Sequence, residues 1–360
     1  MPHPTLNLRG FVVRVLVVLA LIALALFLWR VADVLLLIFG ASLVAILLRA
    51  VAGAIARRTP LPDAAALALA VVLLVGLLAA VGWLFGAEIS AQMSELVARF
   101  PDALASARAW LEGSTVGEVV LRGIEDASPN LGNVAAKITQ ATVMTAGALL
   151  QLLVVAFGGL YLAGDPQVYR AGLLKLIPEG AREQVAGVID TSARALRLWL
   201  FGQLVTMAAV GLLTGIGLWL IGVPAPLAPL ALGLVAALAE FVPYVGPILA
   251  AIPGLLIALS VGPETMWWAL LVYVVVQQVE SNAIVPLVAR QVLALPPALV
   301  IFSVVALGLV LGPLGLVFAT PLTVLLVVAV GKLYVRETLG EPLEVPGESK
   351  GALAAPPRPP

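Results

Sequence analysis

This sequence predicts an all-α, polytopic integral membrane protein with about eight hydrophobic segments, two of them broken re-entrant hairpins. Three observations carry that expectation. Hydrophobic residues fill 62% of the 360 positions and charged residues only 11%, less than half the usual share in soluble domains. Mean hydropathy is +1.12. The apolar residues gather into runs of about 20, the length that crosses a ~30 Å hydrocarbon core at 1.5 Å per residue.

Six runs reach that length: Phe11 to Trp29, Val31 to Leu48, Ala64 to Ala87, Val143 to Leu162, Leu198 to Ile221 and Thr265 to Ile284. Arg9 and Arg14 flank the first, as in a secretory signal. Its apolar run is too long for one, and a second span follows at once, so it is expected to be retained. With the N-terminus inside, only Arg30, Arg99, Arg108, Arg122 and Lys137 of the 20 lysines and arginines fall on the outer side. That asymmetry obeys the positive-inside rule and puts both termini in the cytoplasm.

Two further stretches are interrupted. Leu227 to Ala239 and Ile248 to Ser260 flank Glu-Phe-Val-Pro-Tyr-Val-Gly-Pro at 240 to 247, and Pro297 to Leu311 and Leu316 to Val330 flank Gly312, Pro313, Leu314 and Gly315. Each half is too short to cross alone. Proline removes a backbone donor and glycine permits reversal, so Pro243, Gly246, Pro247, Gly312, Pro313 and Gly315 are the expected hinge positions of two re-entrant hairpins. A shift of 68 residues brings Pro229 onto Pro297, Pro247 onto Gly315 and Pro253 onto Pro321. With one span between them, the hairpins enter from opposite faces, the inverted-repeat plan that puts a site near the midplane in many transporters.

The chain divides accordingly. Residues 1–87 hold three N-terminal transmembrane helices. Residues 88–142 form an extracytoplasmic amphipathic helical segment, with Ile89, Met93, Leu96, Val97, Phe100 and Leu104 at helical intervals, facing either a neighbouring subunit or the lipid interface. Residues 143–331 form a transmembrane core with the two hairpins. Within it, Asp165-Pro166 reads as the cap and first turn of a cytoplasmic helix ending near Pro178. A second helix starts near Glu179 and runs into the fifth span. Residues 332–360, polar and Pro-rich, are expected to be a disordered cytoplasmic tail.

Composition excludes several kinds of function. The formal charge is zero and the basic residues are dispersed, which argues against nucleic acid as a partner. There is no cysteine, and the single histidine lies at position 3, so thiolate chemistry and the usual general base are missing. No Walker loop, G-x-S-x-G or H-E-x-x-H pattern occurs. No enzyme activity, metal or cofactor is expected.

From Leu198 to Gly331 only Glu240, Glu264, Glu280 and Arg290 carry charge. An acidic group in hydrocarbon costs roughly 2.5–3.5 kcal/mol on insertion scales, so such groups face a polar cavity or a partner. Glu264 sits beside Gly262-Pro263 at a membrane surface. Glu240 opens the first break, where its carboxylate could otherwise simply cap the hairpin. Val-Val-Val-Gln-Gln-Val-Glu-Ser-Asn at 274 to 282 sets Gln277, Glu280 and Ser281 on one helical face, with Gln278 and Asn282 alongside. These residues either line a pathway or hold helices together by hydrogen bonds. Gln203, Thr206, Thr214 and Gln151 are weaker candidates of the same kind.

Leu200-Phe201-Gly202-Gln203, the Glu240 to Pro247 break, Gln277 to Pro286 and Gly312 to Gly315 with Pro321 occur in the order that resembles the autoinducer-2 exporter family of bacterial membrane permeases, over about residues 150 to 330. The resemblance implies a multi-pass protein of the bacterial inner membrane that forms homo-oligomers. Some members of the family are associated with export of the signalling molecule autoinducer-2 and others with sodium or lithium/proton antiport.

The resulting expectation is a permease that exports a small polar solute, or exchanges a monovalent cation for protons. Glu240, Gln277, Glu280, Asn282 and Gln203 would line its pathway. Its partners are then the lipid bilayer, the solute or the cation and proton, and further copies of the chain. The competing expectation is a non-transporting oligomeric membrane scaffold whose polar residues only join subunits.

Overall fold

The computed structural model of the chain describes residues 8–77, 79, 150–223, 228–289 and 295–348. The amphipathic segment at 88–142, Arg290 and the last twelve residues lie outside that set. All regular secondary structure among the described residues is helical. Four stretches are long and apolar enough to cross a membrane, namely 32–56, 179–220, 263–288 and 297–336, and a pair bent by 90° at 150–175 adds a fifth if counted as one span. Shorter apolar helices accompany them where the sequence suggests eight segments in all.

Helices α1 (Leu8–Arg30) and α2 (Ala32–Ala56) follow one another almost without a break. α3 (Asp63–Leu77) is the described part of the third expected span, and α4 (Leu150–Gly164) of the fourth. Leu16, Leu19, Phe27, Val72 and Phe157 are more than half exposed, as a surface facing acyl chains rather than water demands. Arg49 of α2 closes the end of α4, donating from Nε to Ala163 O at 2.5 Å and from Nη2 to Gly164 O at 2.7 Å. Asp165 then caps α5 (Pro166–Lys175), accepting from Val168 N at 3.3 Å, with proline in the first turn as expected.

A 3-10 turn at Glu179–Ala181 leads into α6 (Arg182–Leu220), 39 residues without interruption. At 1.5 Å per residue it is about 58 Å long, nearly twice the hydrocarbon thickness, so it projects well beyond the bilayer. Arg170 fastens α5 to it through Asp190, with Nε and Nη2 donating at 2.8 and 2.7 Å. Three clusters of side chains are stacked along α6. Leu196, Trp199 and Leu200 meet Leu43 of α2 and Val324 and Val328 near the end of the chain. Farther along, Val210 meets Ala236, Ala250 and Val276, and Leu218 meets Leu232, Ala258 and Tyr273.

The first expected hairpin consists of α7 (Ala228–Ala239) and α8 (Val245–Val261). α7 lies against α6 at a contact of small residues: a Cβ on Gly233 would sit 2.5 Å from Gly211 O and 2.9 Å from Gly215 Cα. Glycine at all three positions lets the backbones touch, which is how helices associate where no hydrophobic force operates between them. α9 (Pro263–Val279) continues through a π-helical turn at Glu280–Ile284 into α10 (Val285–Ala289).

The last helical element, α11 (Pro297–Ala329), consists of two arms that reverse at Gly312, where φ is 66° and ψ is −151°. Folding back brings residues eight apart together: a Cβ on Gly315 would lie 2.2 Å from Leu307 O. The reversal falls on Gly312 itself, whereas Pro313 and Gly315 belong to the start of the returning arm. In the first hairpin the reversal falls on Tyr244, with φ 67°, and Gly246 and Pro247 already lie in the first turn of α8. Tyr244 and Gly312 are 68 positions apart, the interval at which the prolines superpose in the sequence.

The tail departs from the expectation of disorder from residue 332. A π-helical turn at Val330–Arg336 ends the last arm, and residues 337–348 fold back as a strap over the protruding end of α6. Glu348 anchors it: Arg336 donates to its two oxygens at 2.9 and 2.5 Å, and Lys332 Nζ lies 3.2 Å away. Arg336 also donates to Leu343 O at 2.6 Å, Lys332 to Thr191 Oγ1 at 2.9 Å, and Arg194 to Gly347 O at 3.1 Å. Polar, proline-containing composition hides this arrangement, because the order comes from three basic residues supplied elsewhere.

Burial pushes the Glu348 carboxyl up, but hydrogen bonds and charge from Arg336 and Lys332 outweigh it and hold the group below the usual carboxylate range. Its contribution is therefore complete above the unfolded value of about 4.3 and disappears as pH falls through the lower folded value. A spin label on Leu339→Cys, clean in a chain without thiols, is expected to be immobile at neutral pH. It should become mobile under acid, and at neutral pH in Glu348→Gln. Unchanged mobility in both would refute the anchor.

Candidate functional site

The first break is built around Tyr244. Its positive φ is rare for a residue with a side chain, and with ψ −49° it forms the centre of a γ-turn, Val245 N donating to Pro243 O at 2.8 Å. Such turns are strained and cost of order 1–3 kcal/mol. The strain lets α7 stop and α8 start within five residues. Gly246 is the second requirement, since a Cβ there would lie 1.8 Å from Ala239 O.

Glu240 is the first residue of this break and only 2% exposed. Gln203 of α6 secures it from behind, donating from Nε2 to Glu240 O at 2.7 Å. Next to it, Phe241 stacks edge-on against Trp199 at 5.7 Å, which ties the break to α6. The Glu240 carboxyl neighbours that of Glu280, at the point where α9 gives way to its π-turn. Gln277 Nε2 in turn donates to Glu280 Oε2 at 2.7 Å. The fold thus brings the sequence-expected Glu240 close to the hydrogen-bonded pair Gln277 and Glu280, with Gln203 holding the backbone of the break.

Beside these residues lies a cavity of about 590 Å³ bounded by α6, the first hairpin and α9. Glu240, Gln277 and Gln278 line it, together with Tyr244 and Pro247 from the break. Three residues that line it each carry a buried oxygen with no hydrogen-bond partner among the described residues: Glu240 Oε2, Thr214 Oγ1 and Tyr273 Oη. More than nine in ten buried polar groups are satisfied, so three exceptions around one cavity, each from a different element, set this region apart. Tyr273, Gln277 and Glu280 recur at i, i+4 and i+7 along α9 and so share a face.

The other expected residues fall elsewhere. Asn282 turns back on its own helix, donating to Gln278 O at 2.8 Å and to Gln278 Oε1 at 3.0 Å, and does not line the cavity. No residue between 297 and 329 lines it either, so Gly312, Pro313 and Gly315 shape a second hairpin that stands apart. Sequence reasoning passed over Tyr273 and Tyr244. For Tyr273 a signal exists, a lone hydroxyl within Leu-Val-Tyr-Val-Val-Val one turn before Gln277. For Tyr244 none does, since tyrosine is no turn former.

The profile described as AI-2E family transporter matches residues 16–334. "Putative transport protein YueF" of Bacillus subtilis (strain 168) is 27% identical over 276 residues, which is 72% of this chain and 74% of that protein. "Putative transport protein YrrI" of the same organism is 26% identical over 166 residues. The chain spans about half of the length of YrrI, 46%, in that match.

Proposed function

This chain belongs to the AI-2E transporter family, and from that premise we propose that it exports a small polar solute through the cavity beside the first hairpin. The observation that carries the reading is a cavity of which three lining residues, Thr214, Glu240 and Tyr273, each hold a buried oxygen without a partner among the described residues. A volume of about 590 Å³ lies within the range of roughly 300–1,000 Å³ typical of small-molecule sites and is far larger than a bare ion. That favours a hydroxylated solute, similar to autoinducer-2, over a cation alone. Glu240 and Glu280 are neighbouring carboxyls, groups that could take up and release a proton as solute or a monovalent cation arrives. This supports proton coupling in either mode.

The surroundings of the site in this reading are the bacterial inner membrane, with both termini in the cytoplasm and several copies of the chain assembled together. The skewed placement of lysine and arginine supports the orientation. The two hairpins enter from opposite faces, supported by equal spacing of Tyr244 and Gly312.

Tyr273→Phe tests the proposal against the scaffold alternative. Removing a buried hydroxyl that lacks a protein partner is expected to raise stability by about 1 kcal/mol or more, since the desolvation cost disappears. In transport the same change is expected to lower flux through reconstituted vesicles about tenfold, the worth of one hydrogen bond to solute. Higher thermal stability together with unaltered flux of autoinducer-2 and of Na⁺ would leave the scaffold reading standing.

A further inference from the structure

Asp165 turns the chain through a right angle. α4 and α5 meet there at 90°, because a residue before proline is held extended and Asp165 takes φ −140° and ψ 77°. α4 belongs to a span and leaves Val154, Phe157 and Tyr161 50%, 59% and 70% exposed. A helix set at right angles to a span lies along the membrane plane. α5 therefore follows the membrane surface for about 15 Å, starting one residue after α4 ends.

The sides of α5 are unlike. Arg170 is fastened to Asp190 of α6, Leu174 is half-buried, and Gln167 lines a cavity with Asp63 and Leu67 of α3. At 100° per residue these three fall within about 60° of one another. The opposite arc, about 140° wide, holds Val168, Tyr169, Leu173 and Leu176, which are 61%, 46%, 50% and 80% exposed. No residue of α5 is buried. The protruding start of α6 provides the contrast. Between Leu176 and Leu198 no large hydrophobic side chain is exposed, and the exposed positions from 182 to 195 are Glu183, Gln184, Ala193 and Arg194. Water-facing helix in this chain has that pattern, and α5 does not share it.

We propose that α5 is an interfacial helix that binds the lipid surface, with Val168, Tyr169, Leu173 and Leu176 sunk in the boundary between headgroups and acyl chains. Continuity selects the occupant: the exposed apolar surface of α4 runs as far as Tyr161 and that of α5 begins at Val168, on either side of the elbow. Tyrosine is favoured at that depth, its ring in the apolar layer and its hydroxyl among the headgroups, and Tyr161 and Tyr169 flank the turn. Lys175 falls about 20° from Val168 on the helical wheel, at the edge of the apolar arc, where interfacial helices carry the cations that meet anionic lipid. Through Arg170 and Asp190 the lipid surface then holds the protruding end of α6. What crosses the first cavity has no bearing on this face.

Single cysteines in the full-length protein, which has no thiol of its own, test the arrangement when labelled with bimane and reconstituted in vesicles of phosphatidylethanolamine and phosphatidylglycerol. Interfacial helices sink about 5–10 Å, so labels at Val168, Tyr169, Leu173 and Leu176 are expected to be at least about threefold less accessible to aqueous iodide than a label at Glu183. Lipid carrying a nitroxide near its headgroup should quench those four, and should quench less a label at Ala171, which is exposed but outside the arc. Leu173→Glu combined with Leu176→Glu should bring the label at Val168 within reach of iodide. Iodide quenching of the four equal to that at Glu183 overturns the proposal, as does lipid quenching at Ala171 as strong as at Leu173. Protection of the four from both quenchers overturns it as well, and disulfide cross-linking between copies through Leu173→Cys would then assign the face to a second copy.

Discussion

Glu240→Gln is expected to lower solute flux about ten- to a hundredfold while the protein still assembles. Glutamine matches glutamate in shape and can still meet Glu280, so the break keeps its packing. It cannot carry a proton or a negative charge, and a hydrogen bond to a charged group is worth about 1.5–3 kcal/mol, which sets the range. Flux of autoinducer-2 or Na⁺ from reconstituted vesicles is the measurement, with a pH gradient imposed and then removed. If coupling to protons passes through the pair, the variant also loses its response to the gradient. Glu280→Gln should act in the same direction and, combined with Glu240→Gln, add little, because residues that act as a unit are not additive. Flux equal to that of the parent protein in both variants would remove the carboxyl pair from the mechanism.

Gly246→Ala is expected to have the largest structural effect of any single methyl. Its Cβ would meet Ala239 O at 1.8 Å and Ala239 C at 2.5 Å, and both are backbone atoms that cannot turn aside. The hairpin has to open, which removes Glu240 from its place beside Glu280 and exposes the wall of the cavity. A loss above 4 kcal/mol is expected, in the exceptional class reserved for such conflicts. Thermal unfolding in detergent and yield of the assembled protein read it directly. Gly172→Ala is the comparison: it lies inside α5 with nothing within 4 Å of the added carbon, so it should be neutral or stabilising by roughly 0.5–1 kcal/mol. Similar stability of the two variants would show that the hairpin closes less tightly than described.

Much of this arrangement can be read from residue order because membranes constrain it so strongly. Apolar runs mark helices, and a Pro/Gly break within one marks a reversal, so α7, α8 and the Gly312 turn sit within three residues of expectation. Asp165-Pro166 announces its helix for the same local reason. Glu240 and Glu280 stand out because charge is rare between Leu198 and Gly331. What periodicity leaves open is which neighbour a face meets. Thr214 and Tyr273 lie on different helices, 59 positions apart in the sequence, and only packing brings them to line one cavity. That cavity lies beside the first hairpin, and no residue of the second lines it, for the same reason. Tyr244 is hidden differently, since it adopts a conformation its type disfavours, and the strap at 337–348 depends on Arg194, Lys332 and Arg336 rather than on its own composition.

α6 carries the strap at Gly187, Thr191 and Arg194 and the glycine crossing at Gly211 and Gly215, with no proline and no irregular turn between. The 24 residues from Gly187 to Gly211 make a rod of about 36 Å. A stiff rod cannot lean at one end only, and a lean of about 3° carries the far end roughly 2 Å, more than the gap between touching backbones. Whatever loosens the clasp at one end therefore also shifts the floor on which the first hairpin rests.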